Sequence, residues 1–278
     1  AHVAPTFPAP ITATFLAPFT IPFATHTRLS TLRATASGGV NICPTFYELW
    51  MGKAKGAILP LILVSFVPSI SILFTLKFNT DPIISQTFFI VCKIWLLFVP
   101  AYWYLKIEGN TYAKSLPQRE GITMALITGF LMSVIILFSW FLFEDTIDTD
   151  SMIARLESTG LTDIHIYFAA MLYWIFLNSL LEEYLFRWFV TTKAIDLVGN
   201  EIRGIFLSAL LFTIHHAIAL HLYGFVWWQT LIACFGLISA AGIWSWLYVK
   251  YRSILVCWIS HAICDVVVFG LGYFIIFT

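Results

Sequence analysis

Seven stretches of this chain are apolar for about 20 residues or more, and that limits the fold before anything else does. At about 1.5 Å per residue, such a run crosses roughly 30 Å of hydrocarbon as a helix. No water is available there to satisfy peptide groups, so each run has to satisfy its own backbone by becoming helical. The runs lie near 56–76, 83–105, 121–143, 166–190, 203–222, 225–248 and 253–277. Hydrophobic residues make up 60 % of the 278 and charged residues 11 %, against roughly 45–50 % and 25 % in soluble domains. The expected fold is all-α, a polytopic membrane helical bundle of about seven transmembrane helices. A formal net charge of zero gives no footprint for nucleic acid.

Pro60 and Pro68 are expected to bend the first span, and Pro100 the second. No internal repeat is visible. The distribution of basic residues predicts the topology. Arg28, Arg33, Lys53, Lys55, Lys106, Lys114, Arg119, Lys193, Arg203, Lys250 and Arg252 fall on one side of a seven-span arrangement. Only Lys77 and Arg155 fall on the other, while Lys93 and Arg187 lie inside spans. The N-terminus is therefore expected on the cytosolic-equivalent side. The loop after the third span is acidic, with Glu144, Asp145, Asp148, Asp150, Glu157 and Asp163.

Residues 1–50 form an N-terminal extension of different character, ahead of a membrane domain over 51–278. No acidic residue occurs before Glu48, and Phe7, Phe15, Phe19 and Phe23 alternate with prolines. Acid-poor segments with Arg and Ser resemble organelle transit peptides. A chain beginning with Ala1 is expected to have been processed or shortened. The alternative use of the segment is to lie along a membrane-protein partner. An organellar membrane, chloroplast or mitochondrial, is the expected location. The five cysteines show no CxxC spacing and four sit in apolar runs, as buried free thiols do.

Three polar constellations interrupt the apolar runs. An ionised side chain near a bilayer centre costs about 2.5–3.5 kcal/mol on insertion scales, so such groups mark functional sites. In 177–190, Glu183 and Arg187 are i,i+4 neighbours and can pair. Glu182 lies on another helix face with no partner expected in its own segment, which leaves it for chemistry. Next, Phe212 and His216 share a face, while His215 is expected to point elsewhere and His221 to sit at the boundary. A single histidine in an apolar helix is more often a satisfied core residue than a ligand. Last, His261 and Asp265 are again i,i+4, a spacing at which a carboxylate fixes an imidazole's orientation. Counted from the nearest basic flank, Glu182, His216, His261 and Asp265 lie about 16, 20, 14 and 20 Å deep. Three separate helices thus carry acid and imidazole to one layer.

Glu182-Glu183-x-x-x-Arg187, Phe212-x-x-x-His216 and His261-x-x-x-Asp265, in this order, resemble the three motifs of the CPBP family. That family includes CAAX prenyl endopeptidases of the Ras-converting type, bacteriocin-processing and self-immunity proteins, and the "Abi" proteins. The motifs cover about 165–278. The resemblance implies an intramembrane protease acting on a peptide or protein substrate. Glu182 and His216 would activate water, and His261 with Asp265 would stabilise the oxyanion. Glu183, Arg187 and Phe212 would support the site. The third motif here ends in Asp. A zinc held by Glu182, His216 and His261 is conceivable as a three-ligand open site, but no HExxH spacing favours it, and a metal-free glutamate–water mechanism is equally open. Two rival classes stay open as well: a non-catalytic subunit that keeps the fold as scaffold in a larger complex, and a transporter using the same groups as a proton path. The lack of a repeat or paired broken helices weighs against the transporter.

Overall fold

The computed structural model describes residues 46–78, 81–111, 116–157 and 159–278, with side chains from Met51 onward. The extension up to residue 45 lies outside the described residues. Helix already begins at Phe46, inside the segment expected to be extension. Described residues form helices and no strand: α1 (Phe46–Ser65), α2 (Val67–Leu73), α3 (Pro82–Tyr102), α4 (Arg119–Phe143), α5 (Thr149–Glu157), α6 (Ile164–Leu172), α7 (Ser179–Glu182), α8 (Thr191–Val198), α9 (Glu201–Leu222), α10 (Trp227–Tyr251) and α11 (Ile254–Phe277). Wide π-helical turns extend or join several of these, at Phe74–Phe78, Trp103–Ile107, Tyr173–Asn178 and Glu183–Val190.

Seven of the resulting helical segments are long and apolar enough to cross a membrane: Met51–Phe78, Pro82–Ile107, Arg119–Thr146, Ile164–Val198, Glu201–Leu222, Trp227–Tyr251 and Ile254–Phe277. The expected spans coincide with them in number and order. The largest difference is the fourth, which continues to Val198 instead of ending near residue 190. Hydropathy marks where a helix leaves the hydrocarbon, not where it stops. Thr191–Val198 stays helical because it packs on α1 and α9. Its Lys193 ties outward to Glu108 and lies 3.6 Å from Asp196.

The helix ends follow from local chemistry. Asp81 caps α3 by accepting from the amides of Ile83 (2.8 Å) and Ile84 (3.1 Å), with Pro82 in the first turn. Asp163 caps α6 in the same way, and the Ile166 amide, helped by that of His165, holds its carboxyl below the usual range. Gly199, at φ 67°, ends α8, and Asn200 then caps α9 through the Arg203 amide. A tight turn through Arg252, at φ 51°, connects α10 to α11. Pro60 stays within α1, and the break falls at Phe66, just before Pro68.

Leu185, Phe186, Val190, Phe212, Leu247 and Val256 are fully buried and form the centre of the core. Large apolar side chains such as Ile83, Phe98, Phe138 and Phe235 are exposed on the outside, as lipid-facing positions of a membrane bundle are. Cys92, Cys234, Cys257 and Cys264 are free thiols.

Candidate functional site

The site is built on the helix that runs from Ile164 to Val198. Between Leu172 and Thr191 its hydrogen bonding widens twice into π turns, flanking the short α7 that ends at Glu182. Such turns leave carbonyls without their usual partner and recur at functional sites. Hydroxyls answer two of them. Ser179 Oγ donates to the Trp174 carbonyl at 2.8 Å, and Thr191 Oγ1 to the Phe186 carbonyl at 2.8 Å. Each bond reaches back five residues.

Glu183 and Arg187 are both completely buried. Arg187 Nε donates to Glu183 Oε2 at 3.0 Å, the pairing expected from their spacing. Its Nη1 reaches the Ala241 carbonyl and Ser245 Oγ on α10, both at 3.4 Å. The guanidinium lies 4.5 Å from the centre of the Phe212 ring and 5.3 Å from that of Trp244, within cation–π range. Phe212 is thereby packed between Arg187 and His216, whose ring centre is 4.4 Å away. Glu183 also meets the third constellation: its Oε1 faces His261 Nδ1 at 2.8 Å. Trp244 stacks on the His261 ring at 4.0 Å. His261 Nε2 is 3.5 Å from Asp265 Oδ1, a loose contact, while Asp265 Oδ2 lies against Ser179 Oγ, whose one proton is shared between this carboxylate and the Trp174 carbonyl.

Glu182 is separate from that clasp. It does have a partner in its own segment, contrary to the sequence expectation: Asn178, one turn earlier, donates through Nδ2 to Glu182 Oε1 at 2.7 Å. Asn178 Oδ1 in turn accepts from Lys93 Nζ on α3. The ligand atoms of Glu182, His215 and His216 all lie within 4.8 Å of one another. His216 Nδ1 donates to the Phe212 carbonyl at 3.1 Å, which leaves Nε2 as the free lone pair. His215 does not point away as expected. It is buried, its ring centre 4.1 Å from that of His216, and it is drawn inward by stacking on Phe186 at 5.5 Å.

The trio that lies close together differs from the conditional zinc set named from the sequence. His261 is not in the 4.8 Å group with Glu182 and His216, because its ring is held between Glu183 and Asp265. The group that does assemble, Glu182, His215 and His216, brings one carboxylate and two imidazoles close enough to hold a metal ion or to order a water.

Lys93, Asn178, Ser179, His215 and Trp244 complete the site, and the motif spacing does not name them. Asn178 carries a signal, since it stands four residues before Glu182 on the same helix. Lys93 is marked by being a lysine within a span. Trp244 carries none. Ser260, next to His261, is fully buried and engaged by Thr128 Oγ1 at 3.0 Å and Trp244 Nε1 at 3.2 Å. It is not poised as a nucleophile.

Residues 164–267 match the family model described as "Type II CAAX prenyl endopeptidase Rce1-like". The matched region contains Glu182, Glu183, Arg187, Phe212, His216, His261 and Asp265 and begins where α6 begins. No curated protein and no solved structure matches the chain. The chain thus carries an Rce1-like domain at residues 164–267, consistent with a CPBP family protease.

Proposed function

We propose, starting from an Rce1-like domain set among seven membrane-spanning helices, that this protein is an intramembrane endopeptidase in which Glu182 and His216 activate water. One observation carries this reading: a carboxylate and an imidazole with a free Nε2 lie within 4.8 Å of each other inside the bundle, on two consecutive spans. Glu182 Oε1 is occupied by Asn178, so Oε2 is the oxygen left to take a proton from water. His216 Nε2 accepts the water's second hydrogen bond and orients its lone pair. The hydroxide adds to the substrate carbonyl, and the negative charge develops on the carbonyl oxygen. In this reading His261 answers that charge. Its Nδ1 is committed to Glu183, but Nε2 is only loosely engaged by Asp265 and can donate to the oxyanion. Collapse of the intermediate breaks the C–N bond, and Glu182 returns its proton to the leaving amine.

The substrate class is a peptide presented at the membrane, and a prenylated C-terminal peptide is the first one to test because of the matched family. The acid-poor, Phe- and Pro-rich extension favours an organellar membrane and a membrane-protein partner along residues 1–50. Purified protein in lipid should cleave a farnesylated C-terminal peptide, and His216→Ala should lower the rate by about 100-fold or more, the scale of losing acid–base assistance. Parent protein that cleaves neither this peptide nor its unprenylated form would favour the non-catalytic scaffold.

A further inference from the structure

Lys93 stands outside the matched region 164–267 and outside all three motifs. It sits on α3, whose side chains Ile90, Val91, Ile94 and Phe98 are exposed toward lipid. A lysine on such a helix has to find its partners on the protein side. Its Nζ donates to Asn178 Oδ1, and it lies 5.0 Å from the ring centre of Phe89, one turn earlier. Asn178 is buried, and its Nδ2 donates to Glu182 Oε1 at 2.7 Å.

The chemistry of this chain of three gives it a direction. An ammonium has only donors and a carboxylate only acceptors. The amide between them therefore has one satisfied orientation, with oxygen toward Lys93 and nitrogen toward Glu182. We propose that Lys93 is a positioning residue that acts through Asn178 to fix which Glu182 oxygen is occupied and which is free. The inference rests on the assignment of Glu182 as the base. Without Lys93 the Asn178 oxygen loses its donor, and the amide is held only by the carboxylate it is meant to position. Glu182 is then free to move with Asn178 relative to His216. The first half of the chain thus contributes a working part to a site whose motifs all lie in the second half.

Infrared spectroscopy of the protein in lipid tests this without depending on turnover. The Glu182 carboxylate stretch is isolated as the difference between parent and Glu182→Gln. In Lys93→Met and in Asn178→Leu that band should move to the same new position, and the double variant should move it no further. Lys93→Arg, which keeps a donor-only cation, should leave it in place. With the farnesylated peptide, Lys93→Met should lower kcat by about 10–100-fold with KM changed less than about twofold, and Lys93→Arg should restore most of it. A band unmoved by Lys93→Met overturns the proposal. Where Lys93→Met does not fold, Asn178→Leu decides with Lys93 still present, and an unmoved band there overturns it equally. If Glu182→Gln leaves hydrolysis intact, the assignment of the base falls, while the band still decides whether the relay exists.

Discussion

Glu183 accepts from two donors that belong to different helices, Arg187 Nε at 3.0 Å and His261 Nδ1 at 2.8 Å. It is therefore both the counter-charge of a buried arginine and the group that orients the third-motif histidine. Asp265 has the lighter task of facing His261 Nε2 at 3.5 Å while accepting a share of the Ser179 proton. An asparagine can do both through its oxygen, so Asp265→Asn should keep kcat/KM within about tenfold. Asp265→Ala leaves Nε2 without a guide and should cost about 10–100-fold, the range for outer-shell partners. Equal losses in the two variants, measured with the same peptide, would show that the charge matters more than the acceptor. The i,i+4 pairs were legible in the sequence because helical spacing alone brings those side chains together. The contacts from Glu183 to His261 and from Trp244 to His261 join helices whose relative rotation no spacing encodes.

Among the elements, the Ile164–Val198 helix shows what hydropathy could and could not reveal. Its apolar run announced a span, yet the two π turns and the continuation through α8 depend on tertiary partners. Thr191 Oγ1 bonds back to Phe186 and also meets Ser208 (2.9 Å) and Ser245 (3.1 Å), tying this helix to α9 and α10. The turn between α8 and α9 brings them so close that a Cβ on Gly204 would stand 2.7 Å from Ile195 Cα and 2.8 Å from its backbone nitrogen. Backbone cannot move aside as a flexible side chain does. Gly204→Ala should therefore destabilise the protein by about 1–3 kcal/mol, as overpacking does. Gly242→Ala, on α10, meets nothing within 4 Å and should be neutral or slightly stabilising. Thermal unfolding in detergent compares the two, and equal midpoints would mean that α8 and α9 are free to separate.

At the scale of the whole molecule, the sequence revealed seven spans and their order, because a bilayer forces long apolar runs, and it made each buried charge conspicuous. It did not reveal that an α3 lysine joins the site, since a polar residue within a span carries no address. The extension through residue 45 lies outside the described residues. The membrane-embedded cluster divides into a clasp and a working pair. In the proposed reading Glu183 and Arg187 hold helices together and orient His261, while Glu182 and His216 activate the water. That division between two adjacent glutamates is tested most directly by measuring thermal stability and peptide hydrolysis on Glu182→Gln and Glu183→Gln side by side. Glu183→Gln strips the buried Arg187 of its counter-charge and should cost about 3–5 kcal/mol of stability, whereas Glu182→Gln should unfold with the parent and hydrolyse nothing. A Glu182→Gln protein that loses stability, beside a Glu183→Gln protein that keeps both fold and hydrolysis, would contradict the account.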